Sequence, residues 1–291
     1  MENNLKLLSK LKSENKLSHI KLNCCPMCES KKRKLWCSPD LNGFKTVECN
    51  KCGLIYVENP LDIKSLKLYY SEYYSQTHQK SNVLNSQREK MYKQELDFLL
   101  KFKNSGSVLD VGCSGGQFLK HFKLKGFDCE GVEFGEEAAS EAQKNFKVHI
   151  GEFPNIDFNK KYDIIVFRGC IEHLINPKAY FQKSLKLLNK NGIIFITATQ
   201  NRNSLTCNLF KENWNMHYPH EHLIHFCSDD LINYFSDKGL KSFSEGNIYL
   251  ESPYANPKKD LELVLDKIKS PSKDIKCPPF FDNMMTLVLN F

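Results

Sequence analysis

The sequence predicts an α/β fold, a mostly parallel sheet with helices on both faces, preceded by a small metal-binding segment. Three observations carry this expectation. From residue 106 onward, short apolar runs alternate with helix-length periodic segments, the pattern of a parallel sheet packed between helix layers. A glycine-rich turn, Val108-Leu109-Asp110-Val111-Gly112-Cys113-Ser114-Gly115-Gly116-Gln117, joins the first run to a segment where Phe118, Leu119 and Phe122 recur at helical spacing. Six of the twelve cysteines fall within the first 52 residues, which in a reducing compartment points to metal rather than to disulfides.

Bulk properties set the limits. At 291 residues the chain can hold one large domain, or a medium one with a small companion, and 41% hydrophobic content supplies a core. No uninterrupted apolar run nears the roughly 20 residues of a membrane span. The start, Met1 to Leu17, mixes Leu with Lys and Glu and has no signal-peptide core. A cytoplasmic protein without a membrane span is expected. The net charge of +7, from 41 basic and 34 acidic side chains, permits a nucleic-acid partner without requiring one.

Along the chain, residues 1–20 read as a short amphipathic helix or a frayed lead-in. Cys25-Pro26-Met27-Cys28 and Cys49-Asn50-Lys51-Cys52 then form two C-x2-C knuckles with 20 residues between them. Two such pairs present four thiolates to one tetrahedral ion, so a zinc ribbon is expected with Cys25, Cys28, Cys49 and Cys52 as ligands. Cys24 competes with Cys25 for register, and Cys37 reads as a bystander. Thr46-Val47-Glu48 and Leu54-Ile55-Tyr56-Val57 have strand character around the second knuckle. Lys31-Lys32-Arg33-Lys34 in the spacer reads as a solvated hairpin tip rather than a nucleic-acid patch, with only Trp36 as an aromatic neighbour. Residues 58–105 are mostly helical and carry Tyr69, Tyr70, Tyr73 and Tyr74, which either pack as a connector or cover a site as a lid.

The glycine turn exposes backbone to a ligand, and the helix beyond it offers unpaired N–H groups. It is not the dinucleotide fingerprint, because Ser114 and Gln117 stand where the second and third glycines belong. The pattern is instead Asp110-x-Gly112-x-x-Gly115, followed by a second strand, Phe127 to Val132, that ends in Glu133. Glu133 lies 21 positions after Gly112, where an acid can accept both hydrogen bonds of a ribose diol. The plain alternative is an ordinary βα turn with a solvated glutamate. With Asp110 and Glu133 in register, this stretch resembles the first motif of the class I S-adenosylmethionine-dependent methyltransferases.

The alternation continues through helix 136–144, strands 147–150 and 162–167, helix 177–188, strand 193–197, a helix near 228–238, an extended stretch to Leu250 and a final strand 285–289. Ligands bind such sheets at the carboxyl ends of the strands, which lines Asp110, Glu133, Glu152 and Arg168 along one crevice. The resemblance implies a Rossmann-like sheet of seven strands with a reversed last hairpin. It also implies S-adenosylmethionine bound by Asp110, Gly112, Cys113, Gly115, Gln117, Glu133, Glu152 and Arg168. The organisation expected is a lead-in and zinc ribbon over 1–60, a helical connector over 61–105 and a methyltransferase domain over 106–291.

Two stretches could carry chemistry. Glu172-His173-Leu174 follows the fourth strand of the sheet and brings Glu172 and His173 to the mouth of the site, with His173 as base, substrate-orienting group or mere helix-entry residue. Trp214 to Phe226 holds four of the nine histidines, His217, His220, His222 and His225, in a loop expected to overhang the methyl donor. A histidine there titrates in the right range to take a proton from a hydroxyl or ammonium acceptor. His222 or His220 is the expected base, with Glu221 as orienter, Tyr218 shaping the pocket and His173 in reserve. Buried, hydrogen-bonded histidines account equally for at least two of the four.

With the knuckles and Pro278-Pro279-Phe280-Phe281-Asp282-Asn283-Met284-Met285, the chain resembles zinc-segment methyltransferases associated with bacterial sugar and surface-polysaccharide biosynthesis. Its N-terminal half is also similar to deoxysugar C-methyltransferases. The resemblance implies O-methylation of a sugar, nucleotide sugar or glycan component, with structural zinc. The other readings are a sugar C- or N-methyltransferase, an RNA or protein methyltransferase that reads its target with the ribbon, and a degenerate scaffold module. The acceptor, the atom methylated and the oligomeric state stay open.

Overall fold

The structure is a computed structural model and describes residues 2–77, 82–280 and 282–291. It opens with helix α1 (Glu2–Ser13), whose Leu7, Leu8 and Leu11 share one face and are all buried. Strands β1 (Arg33–Leu35), β2 (Thr46–Cys49) and β3 (Ile55–Val57) follow as an antiparallel meander, with Arg33 opposite Cys49 and Thr46 opposite Val57. The basic run is solvated as the sequence suggests, with Lys31, Lys32 and Lys34 exposed, but it leads into and begins β1 instead of forming a hairpin tip. Arg33 Nε donates to Glu58 Oε1 at 2.6 Å and Lys34 pairs with Glu48 at 3.2 Å, because strand pairing lays these side chains beside acids of neighbouring strands.

Helices α2 (Ile63–Thr77) and α3 (Asn82–Leu99) lead into the larger sheet. Its first half alternates β4 (Ser107–Val111), α4 (Gln117–Leu124), β5 (Asp128–Glu133), α5 (Glu136–Gln143), β6 (Lys147–Ile150), β7 (Tyr162–Arg168), α6 (Pro177–Leu187) and β8 (Leu188–Gln200). Then come α7 (Leu205–Phe210), the two-residue strand β9 (Ile224–His225), α8 (Ser228–Ser236), β10 (Ser242–Gly246), α9 (Pro257–Lys269) and β11 (Met284–Asn290). Among the described residues the large sheet has seven strands in the order β10-β11-β8-β7-β4-β5-β6. All neighbours are parallel except β11, which runs antiparallel to both β8 and β10. The central strands are apolar on both faces: Val108 and Leu109 of β4 and Ile164 and Ile165 of β7 are fully buried, as a sheet covered on both sides requires.

Two features depart from the sequence-based expectation. The extended stretch stops at Gly246, and the backbone turns while Leu250 stands 69% exposed; with no core to meet, its side chain does not hold a strand. Helix α9 was not anticipated, although Asn256 caps it by accepting from the Lys259 N–H and Pro257 stands at its first turn. The N-terminal segment is not set apart from the rest. One buried cluster runs from Leu7, Leu8 and Cys25 through Tyr56 and Tyr69 to Ile165 and Phe226, and β9 adds a fourth strand to the small sheet by pairing with β3. No helix among the described residues is long and apolar enough to cross a membrane.

Candidate active site

The carboxyl ends of β4, β5, β6 and β7 open onto two adjoining cavities, of about 680 Å³ and about 530 Å³. Both are bordered by Arg88, Gly112, Ser114, Gly169, His173 and His222. The turn between β4 and α4 passes through left-handed backbone at Gly112 (φ 81°), Ser114 (φ 49°) and Gly116 (φ 79°). Gly115 does not, so the positions that demand glycine are Gly112 and Gly116. A Cβ at Gly116 would also stand 3.1 Å from the Phe146 ring and 3.2 Å from Ala142. Gly115 itself is buried inside the turn.

Asp110, next to the last residue of β4, has its carboxyl buried and Oδ1 without a partner. Burial pushes its pKa up to about 7, against the pull of Arg168. Glu133 ends β5. Its Oε2 accepts the Ser114 N–H and its Oε1 the Gly135 N–H, each at 2.8 Å. Burial raises its pKa, and these donors act against that. The carboxylate braces the glycine turn through Ser114 and the turn after β5 through Gly135, and its remaining lone-pair capacity is left for a ligand. It faces the larger cavity together with Gly151, Glu152, Phe153 and Tyr180.

Two expected cofactor contacts are corrected. The Cys113 thiol turns into the core, where a Cβ on Gly131 would meet its Sγ at 2.6 Å, so only its backbone can serve a ligand. Arg168 gives Nε to Glu95 Oε2 at 2.5 Å and Nη2 to Glu95 Oε1 at 3.1 Å, and its guanidinium lies 4.4 Å from the Tyr92 ring centroid. A fully buried carboxylate holds that cation in place, so it forms wall rather than grip. Gln117 borders the smaller cavity and Glu152 the larger.

On the opposite side, Glu172, His173 and His222 bring one carboxylate oxygen and two ring nitrogens within 4.8 Å of one another. His173 Nδ1 lies 2.9 Å from the Glu221 carbonyl oxygen and 3.0 Å from the Tyr70 hydroxyl. His222 Nδ1 lies 2.6 Å from the Met216 carbonyl oxygen. A carbonyl only accepts, so both rings carry a proton on Nδ1, and the neutral form of each has its lone pair at Nε2. Burial, with His173 nearby, pushes His222 down to about 3. Glu172 is buried, and its Oε2 accepts from Thr199 Oγ1 at 3.0 Å.

The other three histidines of the loop do not overhang the crevice. His217 bonds Thr46 Oγ1 at 2.9 Å and meets Trp36 edge-on. His225 lies inside β9 between Trp214 and His217. His220 is 2% exposed, packed against Tyr69 and Phe44 and bordering neither cavity, so it cannot reach an acceptor. Its Nε2 lies 3.3 Å from Glu221 Oε1, near but without the alignment of a hydrogen bond. Glu221 steadies His173 through its carbonyl, while its carboxylate takes Asn4 Nδ2 at 2.8 Å and Tyr69 Oη at 2.5 Å. Of the tyrosines, Tyr70 and Tyr73 line the larger cavity and Tyr69 is buried; the Tyr74 side chain and Phe281 lie outside the described residues. Sequence reasoning missed Tyr70 as a partner of His173 and Arg88 on the shared wall. Glu172 borders the smaller cavity beside His173, at the mouth where the sequence places both.

In the small sheet the sulfurs of Cys25, Cys28, Cys49 and Cys52 form one cluster, with Cys25–Cys52 at 3.6 Å and Cys28–Cys49 at 3.4 Å. Burial raises the Cys49 thiol, but the N–H groups of Cys52 and Lys51 outweigh it and bring the group to about 7. A thiolate stabilised this way is the form that binds metal, and a sulfur-only set of four is compatible with zinc. Cys24 lies outside the cluster, and burial lifts the Cys37 thiol to about 11.

A seven-stranded sheet in this order, with its reversed strand and a glycine turn at its centre, is the Rossmann-like methyltransferase fold. The sequence profile of the methyltransferase-domain family matches residues 84–245, and the chain belongs to that family. Among similar proteins, an uncharacterized protein of Methanocaldococcus jannaschii is 29% identical over 112 residues, 38% of this chain and 53% of that one. A ubiquinone biosynthesis O-methyltransferase of Photobacterium profundum is 27% identical over 106 residues, 33% of this chain and 45% of that one. The chain thus spans about half the length of the curated relatives it matches. Among solved structures, a methyltransferase of Thermotoga maritima superposes with a TM-score of 0.53 at 16% identity, over 76% of this chain and 98% of the other. One of Archaeoglobus fulgidus gives 0.51 at 18% identity, over 77% and 100%. Both share the fold.

Proposed function

We propose that the protein transfers the methyl group of S-adenosylmethionine to a hydroxyl of a small polar acceptor, a sugar or glycan component. The observation that carries this reading is the pairing across one crevice of Asp110 and Glu133 with His173 and His222. In this reading Glu133 accepts the ribose diol and Phe153 flanks the base in the larger cavity. The Gly112–Ser114 backbone runs along the methionine end, whose ammonium finds the orphaned Asp110 oxygen. The sulfonium is already activated, so the protein's task is alignment and removal of the acceptor's proton. As the acceptor oxygen bonds to the methyl carbon, the carbon–sulfur pair returns to sulfur. The proton leaves on the side where His222 and His173 hold free Nε2 lone pairs.

Asn85, Arg88, Gln117 and Gln200 on the smaller cavity suit a polyhydroxyl acceptor. Relatives named as O-methyltransferases agree with oxygen as the atom methylated. The RNA reading has less support, since Arg33 of the basic run is already paired with Glu58. Zinc at the four cysteines would be structural, because four protein sulfurs close its coordination shell.

Labelled S-adenosylmethionine offered with a panel of nucleotide sugars and glycans should transfer label to one of them. His222→Ala should lower turnover by about 10²–10⁴-fold, the range for losing a proton-transfer group, with cofactor affinity nearly unchanged. Normal turnover in His222→Ala together with a dead His173→Ala would move the role to His173. Normal turnover in both variants would remove this side of the crevice from the chemistry.

A further inference from the structure

We infer that Glu172, His173 and His222 form a second metal site, an open one, which takes a divalent cation such as Zn²⁺ and binds the acceptor hydroxyl. The role for the acceptor rests on the methyl-transfer reading above; the cation binding does not.

The donor set is two imidazole nitrogens and one carboxylate oxygen, converging within 4.8 Å. Two histidines and a glutamate are a common zinc set when the ion must keep a position open for substrate. Each donor is already oriented as a ligand has to be. His173 and His222 spend Nδ1–H on the carbonyls of Glu221 and Met216, which fixes the tautomer that points Nε2 at the ion. Glu172 has its other oxygen held by Thr199. Outer partners of this kind fix ligand direction and sustain affinity. A general base needs one lone pair; here two ring nitrogens and an oxygen of a buried carboxylate lie within 4.8 Å of one another, and a cation there balances the carboxylate's charge in a low-dielectric setting. Three protein ligands leave the remaining positions open to the cavities that His173 and His222 both border.

An acceptor hydroxyl bound at the open position becomes a stronger acid, as water does on zinc. With the ion bound, His173 and His222 serve as its ligands in place of taking the proton, which the hydroxyl releases to solvent. The metal-bound oxygen forms its bond to the methyl carbon, the carbon–sulfur bond breaks with its pair on sulfur, and the products are a methyl ether and S-adenosylhomocysteine. This site differs from the cysteine cluster in composition as well as place, so one titration separates them.

The full chain, stripped with chelator, is titrated with Co²⁺ and followed by absorption, since thiolate sites give intense charge-transfer bands and nitrogen–oxygen sites only weak ligand-field bands. The expected result is about two equivalents per chain, the second with weak bands alone. That second equivalent should be lost in Glu172→Gln and in His222→Gln, with S-adenosylmethionine affinity by calorimetry kept within about twofold as proof of an intact crevice. A single equivalent with thiolate bands only, or a second equivalent unaltered in both variants, overturns the site. Methyl transfer at full rate in excess chelator, with one ion retained, also overturns it while leaving the methyl-transfer reading in place. Two equivalents in a protein that binds no S-adenosylmethionine would sink that reading and keep the cation site.

Discussion

The two sides of the crevice are held in different ways. The donor side is made of backbone and of acids at strand ends. Asp110, Gly112, Ser114, Glu133 and Glu152 sit on or next to three adjacent parallel strands, and Glu133 ties two turns together through main-chain N–H groups. The acceptor side is made of side chains brought from α2, from the turn after β7, from β8 and from residues 216–222. Its last component is propped from behind by the N-terminal segment and α2: β3 pairs with β9, Thr46 holds His217, and Asn4 and Tyr69 hold Glu221. One side is a property of the large sheet. The other depends on whether the small sheet is intact, and that difference lets donor and acceptor functions fail separately.

Loss of the cysteine cluster should have the largest effect. In small zinc domains the ion supplies on the order of 10 kcal/mol of folding free energy, and here that energy would secure β2 and β3 against β9. Cys49→Ser combined with Cys52→Ser should abolish the thiolate-bound ion in elemental analysis. Amide exchange over residues 214–226 should speed up and turnover collapse, with S-adenosylmethionine affinity changed only a few-fold. Full retention of zinc would end the assignment of these ligands, and an equal collapse of cofactor affinity would break the division between the two sides.

The reverse experiment works on the donor side. Glu133→Ala removes the carboxylate proposed for the ribose and loosens the turns at Ser114 and Gly135. A loss of about 1–3 kcal/mol in cofactor binding is expected, the scale of hydrogen bonds to a charged group. The acceptor's KM should hold, and so should Co²⁺ binding at the nitrogen–oxygen site. Unchanged cofactor affinity, or a preference for a nicotinamide cofactor, would refute the ribose assignment.

The same difference explains what could be read before the structure. The donor side was legible because its residues lie close in sequence and repeat a strand–turn–helix rhythm; Gly112 and Glu133 stand out from spacing alone. Even there, spacing could not tell Gly115 from Gly116, since only the backbone angles show which one is left-handed. Nor could it show that Arg168 is held by Glu95, a residue 73 positions earlier. The acceptor side was legible only as a density of histidines. Whether a histidine faces the crevice or the ribbon is decided by β9 pairing with β3, and residues some 170 positions apart, such as Thr46 and His217, leave no local pattern. The cysteine pairs sit between these cases: the C-x2-C spacing picks Cys25, and the coordinates put its register competitor Cys24 outside the cluster.

The smallest effect tests the donor side through its charge. Burial holds the Asp110 carboxyl near 7 in the folded, ligand-free protein, well above the roughly 3.9 of an exposed aspartate. Between those values the folded state keeps a proton that the unfolded chain releases. Asp110 therefore contributes stability that is fully present below about pH 4 and is lost as pH rises through about 7. Binding of a cationic ammonium reverses the preference, since it favours the ionised carboxylate. Affinity for S-adenosylmethionine should then rise about tenfold from pH 6 to pH 8, the change in ionised fraction across a pKa of 7. Asp110→Asn should flatten that slope and remove the matching fall in ligand-free melting temperature, while His222→Ala leaves both in place. A slope that survives Asp110→Asn would mean that the ammonium does not meet this carboxylate, and that its unpartnered oxygen serves the turn rather than the methyl donor.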